Sequence, residues 1–244
     1  AETEPFRSRF AVTASGEPRQ WAGPLPTWHV PVVDLRREPA PMAAALDWMR
    51  ADMPRPIDLE NGPAFRTAFL RLAEDQVCWY LLVHHLVVDG FGLALFSRRL
   101  GEIYAALERC ESPEPGDQLP LDTLLDAERA YRATPGFEAD REFWMAKMAG
   151  WPGAVRPGGS GQDVTGRTGG APVRAVSRMP KDRVAALRAR ARELDVPWTV
   201  MAAASAVLLD HARSGGGDEV VVGFPVAGRT PRTARAVTGV ASNV

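Results

Sequence analysis

The chain has 244 residues, 45% of them hydrophobic and 24% charged, with a net charge of −1 at pH 7. That is enough apolar material for one large or two small cores, and the near-neutral balance excludes the strong electrostatic pull of a nucleic-acid or anionic-membrane binder. No run is apolar and long enough to span a bilayer, no signal-like segment opens the chain, and Cys78 and Cys110, lacking metal-ligand spacing, read as free thiols of a reducing cytoplasm.

In chain order, Met42, Leu46, Met49 and Met53 recur at helical spacing and predict a helix over 41–53, ending before Pro54. Residues 64–72 and 77–84 are β-rich runs joined by Ala73-Glu74-Asp75-Gln76, which predicts a hairpin in a mixed sheet. The second run delivers His84 and His85, then Leu86-Val87-Val88 and an Asp89-Gly90 turn. Leu93, Phe96, Leu100, Ile103 and Leu107 then mark one face of a helix over about 91–109. Residues 112–120, with three prolines, read as a linker, and 122–149 as helical with a break at Pro135-Gly136. Residues 150–172 hold eight glycines and three prolines and read as a connector. Beyond it lie a strand over 173–177, helices over 181–194 and 197–213, and a central strand over 218–224. The second of these helices is rich in alanine, which predicts close packing. Interleaved strands and helices predict a layered α/β sandwich, and no internal repeat is present.

The histidines carry the chemical interest. Strand side chains alternate faces, so if the strand continues to His85 the two imidazoles point apart. That argues against a shared metal and for one working imidazole, placed where a strand exit feeds a turn and a base is both held and exposed. Asp89, four residues after His85, is placed to cap the helix, pair with a cation, or fix the loop. Gly90 supplies a backbone conformation or a close approach that a side chain forbids. An isolated His-His or Asp-Gly is ordinary; the whole heptad after an apolar strand is not. His29 and His211 stand alone and read as surface or core residues.

The heptad His84-His85-Leu86-Val87-Val88-Asp89-Gly90 resembles the HHxxxDG signature of nonribosomal peptide synthetase condensation domains, within the chloramphenicol acetyltransferase-like superfamily. Four further stretches carry the resemblance. Glu4-Pro5-Phe6-Arg7-Ser8-Arg9-Phe10 is similar to the family's HExLRxxF segment, with Thr3 in place of the histidine. Tyr131-Arg132-Ala133-Thr134 followed by Asp140-Arg141-Glu142-Phe143-Trp144 resembles YRAS…DRxYW. Val221-Val222-Gly223-Phe224-Pro225-Val226-Ala227-Gly228-Arg229 resembles VxGxPVAGR, and Gly239-Val240-Ala241-Ser242-Asn243-Val244 the opening of GxxxNxLPLR. The resemblance implies chloramphenicol acetyltransferase-like two-layer sandwich lobes. Residues 1–172 form most of the N-terminal lobe, with an inter-lobe connector at about 150–172, and 173–244 the start of a truncated C-terminal lobe. The chain, opening on Ala1 and stopping inside a motif, is expected to be a fragment and inactive alone.

For chemistry, the resemblance implies amide formation between two carrier-bound thioesters, with His85 as the catalytic residue. Whether His85 acts as base or positions the amine stays open; there is no GxSxG elbow and no defensible Ser-His-Asp order. His84, Asp89 and Gly90 take structural roles. Asp89 pairs bidentately with an arginine from the other lobe, Arg229 first, with Arg232 and Arg235 as competitors. Gly92 departs from the serine common in the family. No cofactor or metal is bound directly; the substrates arrive on phosphopantetheine arms of peptidyl or aminoacyl carrier protein domains, beside an adenylation domain. Lys181, Arg183, Arg188, Arg190 and Arg192 make a basic helix that suits an acidic carrier or, more commonly, a solvated face. Rival readings are a free-standing acyltransferase of the same fold, using coenzyme A or a carrier-bound donor, and a silent carrier-docking module, against which the intact His85 argues. Epimerisation and heterocyclisation relatives fit less well.

Overall fold

A computed structural model describes residues 3–24, 29–150, 176–214, 222–229 and 232–241. The alternating run after Ala64 forms β4 (Phe65–Arg71) and β5 (Val77–Val83), antiparallel from Phe65 opposite Val83 to Arg71 opposite Val77. Leu72 N and Ala73 N both donate to the Gln76 carbonyl and close the connection. Upstream, β3 (Val32–Asp34) lies parallel to β4, so the sheet is mixed, in the order β3-β4-β5. A separate hairpin joins β1 (Ser8–Val12) to β2 (Pro18–Ala22).

Period-two alternation gives the three-stranded sheet two apolar faces. On one, Ala68, Leu70 and Tyr80 pack with Leu35, Leu72 and Ala45 beneath α1 (Pro41–Asp52). Leu70 is wholly buried, worth about 1.5–3 kcal/mol over leaving it in water. Pro41 starts α1 at a position where its missing N–H is no loss. At the other end Asp52, 6% exposed, accepts from Arg66 Nε (2.9 Å), Tyr80 Oη (2.9 Å) and Arg55 Nη1 (3.1 Å). Burial pushes the Asp52 carboxyl up, but the hydrogen bonds from Arg66 and Tyr80, with the Arg66 and Arg55 charges, outweigh it and hold the group below its ordinary value. Burial first, then the Asp52 carboxylate, push the Tyr80 phenol up to about 12.

On the opposite face Phe65 and Leu81 meet Phe6, Val87, Val88 and Phe96. Phe6 stacks on Phe96 at 4.4 Å between centroids and meets Phe65 edge-on at 5.5 Å. Phe96 belongs to α2 (Gly90–Glu108), on which Gly92, Arg99 and Ala106 are buried and Phe96, Leu100 and Ile103 half-buried. The expected face is corrected at its two ends, where Leu93 is 38% and Leu107 59% exposed. Arg99 takes a buried place instead, its stem covered while Nη2 donates to the Glu114 carbonyl at 2.6 Å. Hydropathy alone would have turned that position to solvent.

Residues 112–120 have no regular structure, but besides the Arg99 bond Leu119 N donates to the Ala236 carbonyl at 2.9 Å. Next come α3 (Asp122–Arg132) and α4 (Pro135–Lys147), parted at Thr134, whose Oγ1 accepts from Phe137 N. Then follow α5 (Lys181–Glu193) and α6 (Trp198–Ser214). The expected close packing of α6 is corrected. None of its described side chains is buried, and Leu208 and Leu209 stand 68% and 61% exposed. Most of the expected connector at 150–172, and of the strands over 173–177 and 218–224, lies outside the described residues. Residues 176–177 and 222–224 are described and are not strand. Val222 and Phe224 are about half exposed, and no described strand supplies the hydrogen bonds a central strand requires. By contacts, residues 1–141 with 225–244 form one compact unit and 142–224 a second.

Candidate active site

β5 ends at Val83, yet the next amide still bonds in sheet fashion, His84 N to the Ala64 carbonyl at 2.9 Å. The chain then turns, and Val87 N donates back to the His84 carbonyl at 3.1 Å. The strand therefore stops short of His85, and the histidines are parted by a turn rather than by strand alternation. His84 is half-buried, and its Nδ1 accepts from Leu86 N at 3.2 Å, which assigns the ring proton to Nε2. Val87 and Val88, 1% and 5% exposed, root the loop in the Phe6–Phe65 core. His85 and Leu86, between these anchors, are exposed.

Asp89 lies at the opposite extreme, 1% exposed. Its Oδ1 accepts from Gly92 N at 2.8 Å and caps α2. Its Oδ2 accepts from Arg229 Nη1 at 2.7 Å and from Ala241 N at 3.0 Å. The three sequence alternatives for Asp89 — cap, cation partner, loop brace — thus coexist in one side chain. Both side chains of the ion pair are 1% exposed. Their contact is not the expected parallel fork: Arg229 divides its Nη atoms, giving Nη2 to the Gly239 carbonyl at 2.8 Å. The Phe91 ring centroid lies 4.7 Å from the guanidinium carbon and supplies its π face. Gly228, at φ +62°, makes the left-handed step that brings Arg229 in, a step glycine takes freely. Arg232 and Arg235 are exposed.

The expectation for Gly90 is corrected. Its φ is not left-handed, and a Cβ on it would meet nothing within 4 Å. The close approach occurs two residues on, at Gly92, where the backbone of Gly239 lies against α2. Sequence reading also missed the outer brace of the clamp. Thr238, 1% exposed, donates from Oγ1 to Gln118 Oε1 at 2.8 Å, and Glu4 Oε2 accepts from Leu121 N at 3.1 Å. Only the departure from serine at Gly92 hinted at any of this.

His29 and His211 are exposed in other segments. The basic residues of α5 are exposed, with Arg190 held by Glu193 at 2.8 Å and Arg188 over the Trp198 ring at 5.9 Å. Among the described residues no three His, Cys, Asp or Glu gather as a metal site. No described helix is long and apolar enough to cross a membrane. A cavity of about 860 Å³ opens between β4–β5 and α2, lined by Phe69, Val77, Trp79, Phe96 and Tyr104 among others, with Arg7 on its wall. None of residues 84–92 lines it.

Chemically, the loop offers one accessible imidazole that can accept or orient a proton, beside a carboxylate committed to holding the backbone.

The sequence profile described as "Condensation domain" matches residues 1–244. An isonitrile lipopeptide synthase of Streptomyces coeruleorubidus is 40% identical over 94% of this chain, and a dimodular nonribosomal peptide synthase of Bacillus subtilis (strain 168) is 34% identical over 93%. The chain spans 15% and 9% of those two proteins. The first condensation domain of the calcium-dependent antibiotic synthetase, solved with a substrate analogue, superposes with a TM-score of 0.85 at 29% identity, covering all of this chain and 57% of that one. A starter condensation domain of rhizomide synthetase gives a TM-score of 0.78 at 32% identity, over 99% and 53%. The mixed α/β arrangement is the one these solved domains share.

Proposed function

The chain belongs to the condensation domain family, and from that membership we propose that it serves amide bond formation between a carrier-bound acyl or peptidyl thioester donor and a carrier-bound aminoacyl thioester acceptor. The observation that carries this reading is the division of labour inside one loop: an exposed imidazole at His85, and four residues later a carboxylate buried and hydrogen-bonded at both oxygens.

The acceptor nitrogen attacks the donor thioester carbonyl. A C–N bond forms, the C–S bond breaks, and the donor carrier leaves as a thiol. The amine loses one proton and the departing sulfur gains one, so a single imidazole that takes the first and returns it balances the step. His85 is the group placed for that exchange, or for holding the amine in its neutral, attacking form. Asp89 and Arg229 hold the loop and take no proton. His84 fixes the turn through its Nδ1. The thioester is already activated, so no covalent enzyme intermediate is needed. Phosphopantetheine arms of partner carrier domains bring both substrates, and tethering supplies their effective concentration. An adenylation domain that loads the acceptor carrier belongs to the same assembly, and the free thiols at Cys78 and Cys110 support a cytoplasmic, reducing setting.

The test is the complete domain mixed with loaded donor and acceptor carriers, with the amide product read by mass spectrometry. His85→Ala is expected to lower turnover by roughly a hundredfold or more, the usual scale for a proton-transfer group, while leaving the thermal melt unchanged. Undiminished turnover in His85→Ala would sink the assignment of His85, and absence of amide from the wild-type domain would favour a silent carrier-docking module.

A further inference from the structure

Phe91 follows the heptad directly, in the first turn of α2, and its ring lies over Arg229. The charge beneath it is poorly met by hydrogen bonds alone. The Arg229 side chain is 1% exposed, and a buried guanidinium is tolerated only where its charge and its N–H groups find partners. One carboxylate oxygen faces it, Asp89 Oδ2, and that oxygen is shared with Ala241 N. Nη2 reaches the Gly239 carbonyl at 2.8 Å, but the second contact of Nη1, to the Ala227 carbonyl, is long at 3.3 Å. Nε is buried and has no hydrogen-bond partner among the described residues. The Phe91 ring, its centroid 4.7 Å from the guanidinium carbon, adds the negative face of its π system to this incomplete set. Phe91 is 38% exposed while the ion pair under it is 1% exposed, so the ring is a layer between the charge and water.

We infer that Phe91 is a positioning residue for His85: its ring closes the Asp89–Arg229 clamp, and its π face fixes the guanidinium from which the histidine loop is held. The inference rests on His85 serving amide formation. It names a residue outside the heptad that sets where the imidazole stands. The Gly239 carbonyl accepts from both Arg229 Nη2 and Asp89 N, so a guanidinium free to turn loosens the backbone at Asp89 as well as its side chain. Water admitted to the pair weakens it further, because the attraction is strong only while the surroundings are dry. The guanidinium itself, 1% exposed, touches no substrate, so what it loses is read in the placement of the loop rather than in binding.

The experiment replaces Phe91 in the complete domain by mono-, di- and trifluorophenylalanine, which keep the ring's shape while withdrawing charge from its face. Phe91→Leu and Phe91→Tyr stand beside them. Turnover, carrier KM, thermal melt and the His85 ring ¹H–¹⁵N resonances, assigned by their loss in His85→Gln, are read for each. Along the fluorine series kcat is expected to fall stepwise, by roughly tenfold at its end, the scale of a desolvated cation–π contact. KM stays within about twofold of wild type, and the His85 resonances move in the same order. Phe91→Leu falls at least as far, and Phe91→Tyr, which keeps the aromatic face, stays within about twofold of wild type. A flat kcat along the series would overturn the inference even if Phe91→Leu is impaired, since the ring then only packs. So would a lowered melt with kcat intact, or a raised KM with kcat intact, which marks a substrate contact instead. Should Phe91→Leu fail to fold, the fluorine series alone decides. If the wild-type domain makes no amide yet the His85 resonances move stepwise, the positioning role stands and the assigned reaction falls.

Discussion

Both oxygens of Asp89 are engaged, and the partners differ in kind: a helix-start amide, a buried guanidinium, and the amide of Ala241. Its removal should therefore be felt in stability, not only in chemistry. Asp89→Ala strands Arg229 with its charge buried, and breaking such a pair costs about 3–5 kcal/mol. Asp89→Asn keeps an oxygen for Gly92 N but leaves the same charge uncompensated, so it should lose nearly as much. Urea denaturation of the three proteins measures this directly. If Asp89→Asn unfolds at the wild-type midpoint, the side chain matters as a helix cap and the pair with Arg229 contributes little.

Element by element, α1 is tied to the sheet by a polar knot as well as by its apolar face. The Asp52 carboxyl titrates lower in the folded protein than in the unfolded chain, so the unfolded state binds the proton more readily. That stabilisation is present in full above the unfolded value near pH 4 and fades as the pH falls through the folded value. Asp52→Asn should flatten the acid limb below about pH 4 while lowering stability at pH 7; denaturant midpoints on either side of that pH test it, and an unchanged limb would place the acid sensitivity elsewhere. Much at this scale was legible in the sequence. Methionine and leucine spacing located α1, alternating β-branched and aromatic runs located β4 and β5, and Asp-Gly marked the start of α2. What escaped had one cause: residues whose packing contradicts their hydropathy. Arg99 is buried though charged, Leu107 is exposed though apolar, and Gly92 and Gly239 touch because both lack the side chain that pattern reading counts. Asp89 and Arg229 were readable as partners through the resemblance alone, since no local pattern joins positions 140 residues apart.

For the molecule as a whole, the face between β4–β5 and α2 has a solubility consequence. Val77, Phe69, Trp79 and Tyr104 line one cavity and are 55%, 39%, 39% and 63% exposed, a contiguous apolar surface beside a strand paired on one side in the described sheet. The 244-residue chain alone should self-associate with rising concentration, and Val77→Lys should reduce this, moving the light-scattering mass toward the 26.5 kDa monomer. A monodisperse wild type at high concentration would show the face to be harmless. The clamp that closes over α2 also sets a timetable. Asp89 leaves the ribosome 140 residues before Arg229, and at about 5–20 residues per second that is an interval of roughly 7 to 28 s. Helix α2 and the β4–β5 hairpin can form early from near neighbours, while an acidic side chain destined for the interior waits without its cation. The histidine loop is thus completed late, when Arg229, Gly239 and Ala241 return to it, and any pause or cleavage during translation between those points leaves a folded-looking sheet with an unset histidine loop.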